Sequence, residues 1–193
     1  MNTPNKLTML RILMIPAFIV FASVQAIPYN YLIAAVIFSV ASFTDFLDGH
    51  IARKQNIVTD FGKFADPLAD KILTTTAFVY MMMDGVCHPL VLVIILTREF
   101  AVSGVRMVAA GAPGGKVIAA NIWGKVKTVV QMVTIILYYF LVGFGQLWPS
   151  FFGPFAGAIR LVTLVLCWVV ALVTAVSGVQ YIWGNRQYIN TAK

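Results

Sequence analysis

Charge is scarce in this chain. Only 11% of its 193 residues are charged, seven of them acidic, and histidine and cysteine occur twice each. A soluble domain of this length carries about a quarter charged residues, so most of this surface is not made for water. The scarcity of cysteine excludes a disulfide-stapled secreted module. There is no internal repeat and no low-complexity tract, so collagen and compositional disorder fall away too. What remains is apolar: 60% of the residues are hydrophobic and the mean hydropathy is +0.87. A single membrane domain spanning residues 1–193 is the expectation, with no room for a second.

A membrane-crossing helix needs about 20 mostly apolar residues. Six are predicted: Met9 to Ile27, Tyr31 to Arg53, Pro67 to Met83, Pro89 to Ala110, Val126 to Gly145 and Phe155 to Trp183. The net charge of +7 could suggest nucleic acid, but its placement matters more than its sum. The connectors at Pro28 to Asn30, Asp84 to His88 and Gly145 to Pro154 hold no Lys or Arg. Lys6, Arg53, Lys54, Lys63, Lys116, Lys125, Lys127, Arg186 and Lys193 fall at the alternate ends, and Arg160 is the one basic residue near the other face. That is the positive-inside pattern, and it predicts an all-α, six-span protein with both termini in the cytoplasm.

The amino-terminal stretch has the look of a cleavable signal, with Lys6 and Arg11 ahead of an apolar run ending near Ser23-Val24-Gln25-Ala26. Removing it would leave an odd number of spans and upset the charge alternation, so it is read as retained. Its first residues form a short amphipathic segment. Thr3-Pro4 reads as a helix cap followed by Pro at the first helical position, and Asn5, Thr8 and Arg11 then share a face. Cys87 falls in an outer connector and Cys167 well inside the sixth span, so no disulfide between them is expected.

Asp45, Asp48, Asp60, Asp66 and Asp70 crowd one window between the second and third spans, and Glu99 lies inside the fourth beside Arg98. Ionisable groups at membrane depth are costly and mark function by default. Asp45 and Asp48 are three apart at the end of one predicted helix, Asp66 and Asp70 four apart at the start of the next. A connecting loop of about ten residues would make the helices antiparallel neighbours and let four carboxylates converge. So many carboxylates repel unless a cation lies between them. Oxygen-only donors select a hard cation such as Mg²⁺, Mn²⁺ or Ca²⁺. His50 reads as a packing or interface residue, His88 lies on the wrong side, and zinc is disfavoured. Gly49 and Gly62, in register with the two Asp pairs, read either as packing residues or as room for a bulky group such as a pyrophosphate.

Written out, Asp45-Phe46-Leu47-Asp48-Gly49-His50-Ile51-Ala52-Arg53, a gap, then Gly62-Lys63-Phe64-Ala65-Asp66-Pro67-Leu68-Ala69-Asp70 resembles the signature of the CDP-alcohol phosphotransferases. That signature is D-x-x-D-G-x-x-A-R-x(8–9)-G-x-x-x-D-x-x-x-D, and every fixed position is present. The resemblance implies an integral membrane enzyme, often homodimeric, that displaces CMP from a CDP-linked lipid at a cytoplasm-facing site. Within the family the chain looks most like the bacterial branch that joins CDP-diacylglycerol to sn-glycerol 3-phosphate. The similarity lies in Pro4-Asn5-Lys6-Leu7-Thr8-Met9-Leu10-Arg11, Asp66-Pro67-Leu68-Ala69-Asp70-Lys71, Thr97-Arg98-Glu99-Phe100 with Arg106, and Gly124-Lys125-Val126-Lys127-Thr128. Beyond about residue 130 there is little to compare.

By that resemblance Asp45, Asp48, Asp66 and Asp70 would hold Mg²⁺ or Mn²⁺, with Asp70 also the general base for the acceptor hydroxyl. Asn5, Thr8, Arg11, Gly49, Ala52, Arg53 and Gly62 would line the nucleotide pocket. Arg98, Arg106, Lys125 and Lys127 are the candidates for the acceptor's phosphate, although each also has an ordinary reading as an ion-pair or interface residue. Gly143 or Gly178 could line a homodimer interface. The expected membrane is the bacterial inner membrane. Rival readings keep the family but change the acceptor, to phosphatidylglycerol as in a cardiolipin synthase or to inositol phosphate. Outside it stand an intramembrane prenyltransferase and a cation transporter.

Overall fold

The computed structural model describes residues 3–55, 60–111 and 121–188; the side chains of residues 3–7, 45–55, 60–66 and 188 lie outside that description. Among the described residues all regular structure is helical. Helices α1 (Thr3–Ser23), α2 (Asn30–Gln55), α3 (Asp60–Met83), α4 (Pro89–Gly111) and α5 (Ile122–Leu147) come first. A short α6 (Pro149–Phe152) and a tight 3₁₀ turn then lead into α7 (Ala156–Gly184). Among the described residues two stretches are long and apolar enough to cross a membrane, Ile122–Leu147 and Pro149–Gly184; Thr8–Ser23 and Asn30–Thr44 are shorter apolar helices. Large apolar side chains also face outward, Leu13, Phe100, Met107 and Leu172 among them.

Local chemistry sets the ends. Ser23 turns its hydroxyl back onto the Ile19 carbonyl at 2.7 Å, and Tyr29 takes a positive φ of 56° before α2 begins. At the end of α3, Gly85 sits at φ +72°, with Gly85 N–H bound to Met82 O and Val86 N–H to Met81 O, both at 3.0 Å. That pairing is a Schellman cap, which requires a left-handed residue and so favours glycine. Asn121 caps α5, its side chain accepting from Gly124 N–H at 2.8 Å.

The core forms where α1 lies on α2 and α3, and α5 lies on α2 and α7. Small residues Ala34, Ala35 and Ala41 on α2 are wholly buried, so a neighbouring helix approaches closely. Phe18 of α1 meets Tyr139 of α5 edge-on at 5.2 Å. Gly143 is needed for the same reason: a Cβ there would lie 2.6 Å from the backbone nitrogen of Leu32. Away from the acid window, Asp84 accepts from Tyr31 Oη at 2.8 Å and from Tyr138 Oη at 2.6 Å, tying α2 and α5 to the end of α3.

Several sequence expectations shift. Thr3 already lies in α1 rather than capping it, so no separate amphipathic segment is distinguished among the described residues. α2 runs on to Gln55 and α3 starts at Asp60, leaving residues 56–59 between them instead of a loop of about ten. Apolar Phe61 and Phe64 carry the helical pattern back from Pro67 into what reads by composition as a loop. Gly143 and Gly178 serve packing within the chain, the second against the Arg98 side chain. The two cysteines are buried free thiols, and Cys87 Sγ donates to the His88 carbonyl at 3.8 Å. The connector folds down onto α7, where the His88 ring stacks on Trp168 at 5.7 Å.

Candidate active site

Helices α3, α4 and α5 enclose a cavity of about 200 Å³ with a largely polar wall. From α3 it takes Pro67, Asp70, Lys71 and Thr74; from α5, Gly124, Lys127, Thr128, Gln131 and Met132; from α4, Arg98, Glu99 and Arg106. The α3 set and the first four of the α5 set recur at i, i+3, i+4 and i+7, the spacing of one helical face. Among the described residues four cations therefore share the cavity with two carboxylates, an excess of two positive charges.

Glu99 organises the cations. Lys127 Nζ donates to Glu99 Oε1, and Arg98 Nη1 donates to the same oxygen at 3.2 Å. The Lys127 and Glu99 side chains are only 7% and 17% exposed. Charges so sheltered are tolerated when paired and hydrogen-bonded. Lys71 Nζ donates to Ser103 Oγ, joining α3 to α4. The Thr74 hydroxyl donates to the Asp70 carbonyl at 3.0 Å, which keeps it within its own helix.

α7 supplies the outer supports. Arg98 Nη2 donates to the buried Ser177 Oγ at 2.9 Å. Arg106 Nε donates to Tyr181 Oη at 3.1 Å, and its guanidinium carbon lies 5.5 Å from that ring's centroid. Gly178, between the two contacts, leaves room for the Arg98 stem; a Cβ there would meet Arg98 Cγ at 2.9 Å.

Of the residues singled out from sequence, Asp70, Arg98, Arg106 and Lys127 reach the cavity together. Lys125 does not line it and is exposed. Two residues along a helix is about 200° around its axis, so Lys125 and Lys127 face opposite ways. Thr8 and Arg11 are wholly buried away from the cavity, Arg11 Nε donating to the Ala41 carbonyl of α2 at 3.3 Å. Asn5, Asp45, Asp48, Gly49, Ala52, Arg53, Gly62 and Asp66 belong to α1, α2 and α3 by backbone, and their side chains lie outside the described residues. Among the described residues no three His, Cys, Asp or Glu side chains gather. Sequence reasoning missed Lys71, Gln131, Ser177 and Tyr181. The last two carried a signal, since Thr174, Ser177 and Tyr181 recur every three or four residues in an otherwise apolar run and all three are buried.

Comparison with known proteins agrees with the sequence motif. Residues 1–183 match the family model of the CDP-alcohol phosphatidyltransferases. A Bacillus subtilis protein named CDP-diacylglycerol–glycerol-3-phosphate 3-phosphatidyltransferase is 36% identical over 99% of this chain and 98% of its own length. A Rickettsia bellii protein of the same name is 33% identical over 97% of each chain. A Mycobacterium tuberculosis relative, named a probable phosphatidylglycerophosphate synthase, is 33% identical over 94% of this chain and 80% of its own. With a match of that extent the chain belongs to the CDP-alcohol phosphatidyltransferase family and is a phosphatidyltransferase.

Proposed function

We propose that the protein transfers the phosphatidyl group of CDP-diacylglycerol to sn-glycerol 3-phosphate, giving phosphatidylglycerophosphate and CMP. The observation that carries this reading is the cavity that sets Asp70 opposite Arg98, Arg106 and Lys127, with an excess of positive charge. Arg98, Arg106 and Lys127 together attract an anionic acceptor. The cavity's volume of about 200 Å³ is below the ~300–1,000 Å³ of drug-sized sites, which suits a small acceptor. The names carried by the relatives from Bacillus and Rickettsia support the same donor and acceptor.

In this reading the acceptor's phosphate rests against Arg98, Arg106 and Lys127, whose guanidinium and ammonium donors match phosphate oxygens. Asp70 takes the proton of the acceptor's primary hydroxyl. The freed oxygen forms a bond to the phosphatidyl phosphorus as the bond from that phosphorus to the CMP oxygen breaks, and CMP leaves with the electron pair. Asn5, Thr8, Arg11, Gly49, Ala52, Arg53 and Gly62 serve the nucleotide half. Asp45, Asp48, Asp66 and Asp70 form an oxygen-only donor set that fits a hard divalent cation, Mg²⁺ or Mn²⁺. When bound, such an ion supplies charge neutralisation at the pyrophosphate.

The setting is a single membrane domain over residues 1–193, with six helices crossing the bacterial inner membrane. Both termini and the cavity mouth face the cytoplasm, and the protein works as a homodimer. The alternation of basic and base-free connectors supports that orientation. The test is CMP release by detergent-purified protein given CDP-diacylglycerol, with and without sn-glycerol 3-phosphate and Mg²⁺ or Mn²⁺. Release that requires acceptor and metal, and drops by about three orders of magnitude or more in Asp70→Asn, is the expected outcome. Release with phosphatidylglycerol or inositol phosphate instead would change the acceptor, and none with any acceptor would sink the reading.

A further inference from the structure

Two polar atoms in the cavity lack partners among the described residues: Gln131 Oε1, an acceptor, and Arg98 Nε, a donor. Both are shut off from solvent, and Gln131 as a whole is only 2% exposed. A buried polar atom left without a hydrogen bond costs about 1–3 kcal/mol, so a pair in one chamber marks a place prepared for something that binds there. An unfilled acceptor and an unfilled donor on two residues of one cavity wall complement a hydroxyl, which donates once and accepts as well. Gln131 follows Lys127 by one turn of α5, so it faces the same chamber deeper along the helix than the lysine. A cation at Gln131 is disfavoured by Lys71, Arg98, Arg106 and Lys127, which outnumber Asp70 and Glu99 in that chamber.

We propose that Gln131 is a specificity-determining residue that accepts, at Oε1, a hydrogen bond from the non-reacting hydroxyl of a hydroxyalkyl phosphate acceptor. This inference rests on the phosphatidyl-transfer reading and adds to it a residue that distinguishes glycerol phosphate from acceptors without a second hydroxyl. A site that hydrogen-bonds a substrate hydroxyl rejects the analogue lacking it, because the buried partner is then stranded.

The test compares sn-glycerol 3-phosphate with 3-hydroxypropyl phosphate, which keeps the reacting hydroxyl and the phosphate but lacks the secondary hydroxyl. Both are assayed by CMP release with wild type, Gln131→Met and Gln131→Glu, each first shown by thermal melting to be folded. Wild type is expected to favour glycerol phosphate by about tenfold or more in kcat/KM, the equivalent of one hydrogen bond. Gln131→Met should remove most of that preference, losing about tenfold with glycerol phosphate and less than about twofold with the analogue. Gln131→Glu, which keeps an acceptor oxygen, should retain the preference. Equal losses with both acceptors, or a wild type indifferent to the missing hydroxyl, would overturn the assignment. A folded wild type that turns over neither acceptor would instead overturn the transfer reading beneath it.

Discussion

Arg106 shows how much a single contact from a distant helix can set. Its side chain is exposed at the cavity, so a long guanidinium there would sample many rotamers unless something held it. Tyr181 holds it twice, by a hydroxyl at 3.1 Å and by a ring face at 5.5 Å. Tyr181→Phe removes the first and leaves the second. We expect the KM for sn-glycerol 3-phosphate to rise about three- to tenfold with kcat and the KM for CDP-diacylglycerol little changed, since a hydrogen bond to a charged group in a partly wet site contributes about 1 kcal/mol. A fall in kcat with KM unchanged would place Tyr181 in the chemistry instead. The family could be read directly from the acid window because the spacing of its motif is written in the sequence. Tyr181 was harder to read: the recurrence of Thr174, Ser177 and Tyr181 marks a polar face of α7 but not which helix that face meets.

At the scale of the element, helix existence was legible and helix contact was not. Runs of apolar residues predict long helices wherever they occur, and each predicted span corresponds to a helix in the structure. The ends moved because Asp60, Gly62 and Asp66 suggest a loop while Phe61 and Phe64 between them keep a helical spacing. Close approach between helices is equally hidden: Gly143 and Gly104 look alike in sequence, yet one lies against the Leu32 backbone and the other has nothing within 4 Å. Gly143→Ala should therefore force α5 away from α2, since a backbone atom at 2.6 Å cannot swing aside. The expected loss is about 1–3 kcal/mol, as for other overpacked cores, seen as a lower melting temperature in detergent. Gly104→Ala should leave melting unchanged or raise it slightly, because alanine is the better helix former by up to about 1 kcal/mol. Equal effects from the two substitutions would contradict this packing of α2 on α5.

Among the described residues, Asp70 and Asp84 stand at opposite ends of α3 in separate polar clusters. Asp70 and Asp84 are separated by fourteen residues of helix α3 and its cap, about 20 Å along the axis. The first belongs to the cavity. The second stands where a carboxylate is disfavoured, at the negative end of a helix, and is offset by the Tyr31 and Tyr138 hydroxyls. Such a cluster fastens three helices at the end remote from the cavity, so it should govern stability without touching turnover. Asp84→Ala removes the carboxylate that accepts from both hydroxyls, at a cost of about 2–4 kcal/mol. In a chain of this size that lowers the melting temperature by on the order of 5–15 °C. CMP release measured well below the transition should stay within about twofold of wild type. Adding Tyr31→Phe and Tyr138→Phe to Asp84→Ala removes the two hydroxyls as well. The triple variant should then melt above the single one, because deleting all partners of a buried hydrogen bond costs less than deleting one. If turnover instead fell in step with melting across the series, the two ends would be coupled through α3, and the division of labour drawn here would be wrong.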